Sequence, residues 1–203
     1  MRRARQSVIG VDEVGMGCLA GPVVVCAVSM DNKYDIGDFG VRDSKKMSPK
    51  QREACLDKIK KLNLKYQISL CYPKTIDKIN IYQASRKAMR RAVLRLSPPS
   101  PSYSKRGTEG AIVLVDGPRI IKNLDLPQKA IVHGDRKVFA IACASILAKV
   151  FRDKMMRNYA KRYPKYGFDK HKGYGTKLHY AMLAKYGPTL IHRRSFAPVG
   201  NLT

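Results

Sequence analysis

Two valine-rich runs near the start of the chain, joined by a glycine-rich segment that opens with two acids, restrict the fold most strongly. Val8–Asp12 and Pro22–Met30 have the β-branched composition of strands. The segment EVGMGCLAG lies between them, and its glycines suit a tight connection with exposed backbone. The pattern predicts two strands, with Asp12 and Glu13 at the end of the first.

Strand and helix patterns alternate along the rest of the chain. Further strands are predicted at Lys65–Cys71, Ala111–Val115 and Ala130–His133. The predicted helices run from Pro49 to about Lys60, from Thr75 to Leu96, over Val138–Arg157 and near Thr176–Tyr186. This alternation is typical of an α/β fold. We expect a single domain over residues 1–203, in which the proline- and serine-rich residues 97–110 form a surface loop.

The charge of the chain indicates its partner. Among 203 residues, 40 are Lys or Arg and 15 are Asp or Glu, which gives a formal net charge of +25. Such a surface attracts polyanions, and nucleic acid is the first candidate. The 44% content of hydrophobic residues fits a folded domain and not a disordered basic tail.

Neither membrane insertion nor export is expected. No apolar run reaches the roughly 18 residues of a membrane span, and Asp12 and Glu13 interrupt the apolar part of the N-terminal segment, unlike in a signal peptide. The cysteines are scattered without metal-binding spacing, which fits reduced thiols. We therefore predict a cytoplasmic protein.

Four acidic residues lie at the ends of predicted strands. Asp12 and Glu13 end the first strand, Asp116 ends the run AIVLVD, and Asp135 follows AIVH through Gly134. Ligands of open α/β sheets bind beyond the strand ends, where these side chains can converge. Crowded carboxylates repel one another unless a cation joins them, and Mg²⁺ or Mn²⁺ suits oxygen ligands. Two such ions can activate a water and stabilise the leaving oxygen in phosphodiester hydrolysis.

Each of these acids also fits an ordinary structural role. Asp12 suits a turn at a strand end, Glu13 a solvated surface, Asp116 an Asp-Gly-Pro turn, and Asp135 the N-cap of the following helix. Other kinds of site are less well supported. The histidines lack a nearby zinc ligand set, and GVDEVGMG lacks the Gly-Lys-Ser/Thr of a phosphate-binding loop.

Five blocks of the sequence resemble the ribonuclease HII family, the type 2 ribonucleases H. In order along the chain they are VIGVDEVGMGCLAGPVVVCAV, VRDSKKMSP, VLVDGPR, HGDRKVFAIACASILAKVFRD and YPKYGFDKHKGYGTKLHYAMLAKYGPTLIHRRSFAPV. The resemblance extends from Val8 to Val199. It implies a ribonuclease H-like α/β fold: a central mixed five-stranded sheet flanked by helices, with a helical C-terminal part from about residue 160 that completes the substrate site.

The resemblance also implies an activity. A protein of this kind is a metal-dependent endonuclease that hydrolyses the RNA strand of RNA–DNA hybrids and incises 5′ of ribonucleotides embedded in duplex DNA. Its products carry 5′-phosphate and 3′-hydroxyl ends. We expect this chain to be a monomer. The family's four metal-binding carboxylates match Asp12, Glu13, Asp116 and Asp135, its junction-sensing tyrosine matches Tyr174, and its phosphate-contacting lysines match Lys45 and Lys46.

One position departs from the family pattern. The family usually has Gly-Arg-Gly where this chain has Gly15, Met16 and Gly17. The glycines still allow the backbone to approach a ribose 2′-hydroxyl, but methionine lacks the charge and the fork of arginine. The related ribonuclease HIII also lacks that arginine, and it prefers RNA tracts. Three alternatives therefore stay open: a ribonuclease HIII-like preference, another two-metal nuclease or strand-transfer enzyme, and a basic nucleic-acid-binding protein without catalysis.

Overall fold

The computed structural model describes residues 7–31, 47–96 and 111–202. Lys45, Lys46 and the predicted surface loop at 97–110 lie outside these ranges. The strands are β1 (Ser7–Val14), β2 (Val23–Asp31), β3 (Lys65–Cys71), β4 (Ile112–Asp116) and β5 (Gln128–Ile131). The helices are α1 (Pro49–Lys61), α2 (Pro73–Ile79), α3 (Ile81–Leu96), α4 (Phe139–Arg162), α5 (Phe168–His171) and α6 (Lys177–Tyr186).

The five strands form one mixed sheet in the order β3-β2-β1-β4-β5. β1 pairs antiparallel with β2, and β2 with β3, whereas β4 runs parallel to β1 and β5 runs parallel to β4. The predicted mixed five-stranded sheet is therefore confirmed. Val11 of β1 is in register with Val115 of β4, so that Asp12 and Asp116 follow at the carboxyl ends of adjacent parallel strands.

Helices cover both faces of the sheet. On one face Ile9 and Val11 of β1 belong to the same core as Ala88 of α3. On the other face Val24 of β2 belongs to the core that contains Cys143 of α4. Successive side chains of a strand point to opposite faces, so the continuous apolar runs of β1 and β2 supply both cores.

α4 lies unusually close to β1. A Cβ atom on Gly10 would be 2.2 Å from the carbonyl carbon of Ala140, so only glycine allows this approach. The buried face of α4 carries small residues, among them Ala144 and Ala148, which bring the helix near the strand. The same approach brings Ser145 within hydrogen-bonding reach of Asp12.

β1 continues to Val14 instead of ending at Asp12, and α4 continues to Arg162 instead of Arg157. Two further elements differ more from the sequence-based prediction. The helix expected from Thr75 to Leu96 is divided into α2 and α3 at Asn80, which has a φ of 63° and whose side chain accepts a hydrogen bond from the amide of Gln83. β5 lies two residues before the predicted Ala130–His133. It begins after Pro127, and His133 with a φ of 56° turns the chain away.

The C-terminal part returns to the connection between β1 and β2. Cys18 of this connection forms an isolated antiparallel β-bridge with Tyr174, and Ala20 forms a second one with His192. The predicted helix near Thr176–Tyr186 is confirmed as α6, and the Thr176 hydroxyl accepts a hydrogen bond at its N-terminus. None of the described helices combines the length and the apolar character needed to cross a membrane.

Candidate active site

Two aspartates meet at the carboxyl edge of the sheet. Asp12 is buried, with 6% of its surface exposed, and accepts hydrogen bonds from the Ser145 hydroxyl and the Glu13 amide. Asp116 ends β4, and its Oδ1 accepts a hydrogen bond of 2.7 Å from the amide of Gly134. This bond ties the end of β4 to the 3₁₀ turn Gly134–Arg136, which contains the buried Asp135.

The electrostatics of the group centre on Asp12. Burial raises the pKa of its carboxyl group well above the usual value, and the charges of Glu13 and Asp116 raise it further. The carboxylates of Glu13 and Asp116 are therefore close enough to repel that of Asp12. A cation with oxygen ligands would relieve this repulsion, so the chemistry of the donors fits Mg²⁺ or Mn²⁺.

The ligand atoms are not gathered around one point. Within residues 7–31, 47–96 and 111–202, no three Asp, Glu, His or Cys side chains are grouped tightly enough to hold a single ion. The turn that carries Asp135 also excludes the N-cap role suggested for it, because Val138 is the N-cap residue of α4.

Two buried arginines hold the loop that follows β1. Arg193 donates from Nη2 to the carbonyl of Gly15 at 2.7 Å, from Nη1 to that of Met16 at 2.9 Å, and from Nε to that of Gly21 at 3.0 Å. Arg152 in the same way binds the carbonyls of Ala20, Pro22 and Lys172. Both arginines are fully buried, and neither has a carboxylate within ion-pair distance among the described residues.

The orientation of these carbonyls has a consequence for the loop. In a trans peptide the carbonyl of one residue and the amide N–H of the next point in opposite directions. Because the carbonyls of Gly15 and Met16 point inward to Arg193, the N–H groups of Met16 and Gly17 point away from the core. Gly17 is exposed, with no atom within 4 Å of the place a Cβ would take. The loop thus presents amide donors to the outside.

Tyr174 lies beside this loop. The amide of Leu19 donates to the carbonyl of Gly173 at 2.8 Å, and a Cβ on Gly173 would be 2.5 Å from the carbonyl oxygen of Ala20. Tyr174 is 38% exposed, and its ring centroid lies 5.7 Å from Lys149 Nζ and 5.8 Å from the Arg152 guanidinium carbon. Burial raises the pKa of its hydroxyl to about 12, so the phenol stays protonated.

Three histidines, His171, His179 and His192, pack together next to the Tyr174 loop. His179 Nδ1 donates to the Tyr174 carbonyl at 2.9 Å, which leaves its Nε2 to accept from His192 Nε2 at 3.0 Å. His192 Nδ1 then accepts from the amide of Thr189 at 2.9 Å. His171 stacks on His179 at 4.3 Å between ring centroids. The hydrogen bonds define one neutral tautomer for each ring of the His179–His192 pair.

A model of the family Ribonuclease HII matches residues 9–199 of the chain. The chain belongs to the ribonuclease HII family. It is 48% identical over 198 residues to the ribonuclease HII of Caldicellulosiruptor saccharolyticus, covering 97% of this chain and 89% of that protein. The family resemblance drawn from the sequence is thereby confirmed. So is its general activity, that of a ribonuclease H-type endonuclease acting on nucleic acid.

Solved structures agree with the family assignment. The ribonuclease H2 of Pyrococcus horikoshii superimposes with a TM-score of 0.74 at 25% identity, covering 97% of each chain. The ribonuclease HII of Archaeoglobus fulgidus, solved in a complex with PCNA, gives a TM-score of 0.73 at 25% identity and covers 91% of this chain and 92% of that one. The predicted fold class is therefore confirmed.

Some residues of this ribonuclease HII site had no place in the sequence-based prediction. Ser145, Arg152 and Arg193 are the clearest, and only Arg152 had a usable signal. It lies four residues after Ala148 and four before Met156, both buried, so helical spacing puts it on the inner face of α4. Lys45 and Lys46, the predicted phosphate contacts, lie outside the described residues.

Proposed function

We propose that this protein uses Mg²⁺ or Mn²⁺ to hydrolyse the RNA strand of RNA–DNA hybrids. We further propose that it incises duplex DNA 5′ of embedded ribonucleotides, leaving 5′-phosphate and 3′-hydroxyl ends. Asp12, Glu13, Asp116 and Asp135 are the proposed metal-binding and catalytic residues. The observation that carries the proposal is the register of β1 and β4, which sets Asp12 beside Asp116 at the carboxyl edge of the sheet.

The chain supplies oriented carboxylates for this chemistry. The Ser145 hydroxyl and the Glu13 amide orient Asp12, and the Gly134 amide orients Asp116. When bound, two divalent ions activate a water and stabilise the leaving oxygen. The repulsion of Asp12 by Glu13 and Asp116 supports such an occupant, because a divalent cation would offset the negative charge that these carboxylates bring together.

Recognition of the ribose is proposed for the loop after β1 and for Tyr174. The outward N–H groups of Met16 and Gly17 can donate to a 2′-hydroxyl, which DNA lacks. The half-exposed ring of Tyr174 offers a stacking surface at the next nucleotide. The C-terminal part from about residue 160 thereby completes the substrate site within a single domain.

A panel of four duplexes tests the proposal. The substrates are an RNA–DNA hybrid, duplex DNA with one ribonucleotide, duplex DNA and duplex RNA, each with Mg²⁺ or Mn²⁺ at one salt concentration. We expect cleavage of the first two substrates only. A DNA ligase, which requires a 5′-phosphate beside a 3′-hydroxyl, should then seal the cut in the duplex that contains one ribonucleotide. Cleavage of duplex DNA would point instead to another two-metal nuclease, and binding without any cleavage to a non-catalytic protein.

Met16 supports a second candidate, in which the enzyme prefers RNA tracts as ribonuclease HIII does. Its side chain packs partly into the core between the sheet and α3 and supplies no charge to the substrate. We expect Met16→Arg to raise the ratio of single-ribonucleotide to tract cleavage, because a charged hydrogen bond to a phosphate or sugar contributes roughly 1.5–3 kcal/mol. An unchanged ratio would remove position 16 from substrate discrimination.

A further inference from the structure

A cavity of about 420 Å³ opens beside the proposed metal site, on the α3 side of the sheet. Glu13, Asp116 and Met16 belong to its lining. Arg86 and Ser85 of α3, the exposed Tyr82, and Arg119 after β4 form the rest of the lining. Two arginines and two carboxylates thus line the same cavity.

The side chain of Arg86 is fixed in this cavity by hydrogen bonds that involve only one of its three nitrogens. Its Nη1 donates to the carbonyl of Arg119 at 2.6 Å and contacts the sulfur of Met89 at 3.7 Å. Those are the only hydrogen bonds of its side chain to described residues, so Nε and Nη2 have no described acceptor. A guanidinium carries five N–H donors in a planar fork, which matches a phosphate that offers two oxygens.

Arg86 carries a positive charge that its surroundings only partly offset. Glu13 attracts its guanidinium, Arg119 repels it, and partial burial lowers its pKa although it stays charged at neutral pH. Arg86 and Arg119 thus place two positive charges in the lining of the cavity that Glu13 and Asp116 also line.

We propose that Arg86, with Arg119, forms a binding site for a backbone phosphate of the strand that is cut, next to the phosphodiester that reacts. The inference rests on the proposed function, because that function puts the reacting phosphate at Glu13 and Asp116. The cavity adjoins these carboxylates directly and has room for a neighbouring phosphate and its sugar. Tyr82, exposed at the rim, is available to pack on that sugar.

The first experiment compares two variants, one without the charge of Arg86 and one without the charge of Lys87. Lys87 is the matched control, because it lies next in α3, is exposed, and does not line the cavity. Binding of duplex DNA with one ribonucleotide is measured by fluorescence anisotropy in chelator, which requires no catalysis. We expect Arg86→Gln to weaken binding roughly tenfold more than Lys87→Gln. Equal effects of the two substitutions overturn the proposal.

The second experiment identifies the phosphate. Single neutral methylphosphonates replace the DNA phosphates on either side of the ribonucleotide, and then those of the complementary strand. Replacing the phosphate that Arg86 binds should weaken binding by the wild type roughly tenfold. The same replacement should leave the affinity of the Arg86→Gln variant unchanged. If this coupling occurs only in the complementary strand, or at no position, the assignment is wrong.

Cleavage kinetics keep this inference separate from the proposed function. With Mg²⁺ or Mn²⁺, Arg86→Gln should raise KM for the single-ribonucleotide duplex about tenfold and change kcat less than threefold, as expected for a residue that binds the substrate before and during the reaction. A fall in kcat with unchanged KM contradicts the phosphate site. A wild type that cuts no substrate refutes the proposed function, while the anisotropy comparison still decides whether Arg86 binds a phosphate.

Discussion

Asp12 and Glu13 are adjacent in the chain, yet their side chains face opposite sides of the sheet. Asp12 is hydrogen-bonded to Ser145 of α4, and Glu13 lines the cavity with Arg86 of α3. This follows from the alternation of side chains along β1, which includes both residues. The two acids therefore lie on the two faces of one strand, and Asp116 ends the adjacent strand β4.

The first prediction concerns the metal and its ligands. We expect no turnover in excess chelator and recovery with Mg²⁺ or Mn²⁺. Asp12→Asn or Asp116→Asn should lower the cleavage rate by orders of magnitude, because each removes a charge from the ion-binding group. Asp57→Asn, which changes an exposed acid of α1, is the control and should be as active as the wild type. Full activity in chelator would falsify the two-metal proposal.

Arg193 is predicted to be a positioning residue. Lysine cannot reach the carbonyls of Gly15, Met16 and Gly21 together, and each buried carbonyl left without a donor costs about 1–3 kcal/mol. Arg193→Lys should lower the free energy of unfolding by about 2–4 kcal/mol, measured by urea denaturation.

The exposed neighbour Arg194 provides the control for this change. Arg194→Lys should leave both stability and cleavage unaltered. At a temperature where the Arg193→Lys variant is folded, it should also lose selectivity for a single ribonucleotide over a DNA backbone, because the amides of Met16 and Gly17 are no longer aimed outward. A variant that is less stable but equally selective would show that Arg193 acts on folding alone.

Tyr174 is predicted to sense the junction between RNA and DNA. Tyr174→Ala removes a stacking surface worth about 1–3 kcal/mol and should lower the ratio of single-ribonucleotide to tract cleavage. Tyr174→Phe keeps the ring and should retain most of that ratio. Measuring both ratios at one salt and metal concentration separates stacking from the hydroxyl group. Equal ratios in Tyr174→Ala and the wild type would exclude Tyr174 from this role.

The buried histidines predict a loss of stability in mild acid. Burial lowers the pKa of His179 and of His192 to about 4, from 6.5 in the unfolded chain, and each charged ring would also repel the other. Between pH 6.5 and pH 4 the unfolded chain therefore binds protons at these two histidines that the folded protein does not bind. The free energy of unfolding falls as the pH drops from 6.5 toward 4, by about 2 kcal/mol for each histidine at pH 5.

Two variants isolate this contribution from that of the carboxylates. His192→Gln should lose about 2 kcal/mol less than the wild type between pH 7 and pH 5, whatever its stability at pH 7. His133→Gln changes an exposed histidine and should follow the wild type. Urea denaturation at the two pH values gives both differences. Identical losses in all three proteins would mean that the network does not control acid stability.

The net charge of +25 predicts a steep dependence of binding on salt. Each phosphate contact releases counterions, so the affinity for a hybrid should fall by about a thousandfold between 50 and 200 mM salt. Anisotropy titrations across that range give the slope of log affinity against log salt. A flat dependence would contradict the view that the basic surface holds the nucleic acid.

Local sequence patterns predicted the strands and helices of this protein better than they predicted contacts between residues far apart in the chain. The strand-end positions of Asp12 and Asp116 follow from apolar runs that stop at an acid, and such runs are visible in the sequence. The split at Asn80 depends on one side chain capping the next helix, which helical spacing does not report. The role of Arg193 depends on a partner 178 positions away at Gly15, and no local pattern encodes that pairing.

Arg152 and Arg193 change how the charge of the chain acts on a polyanion. Both are fully buried and bound to main-chain carbonyls, so no phosphate touches them, and no described carboxylate lies within ion-pair distance of them. Their field passes through protein, where mobile ions cannot enter, and emerges at the loop of Gly15–Gly17. This part of the attraction is poorly screened. It should therefore persist at ionic strengths that suppress the surface lysines, and keep a weak, salt-resistant hold on the substrate at the point where it is cut.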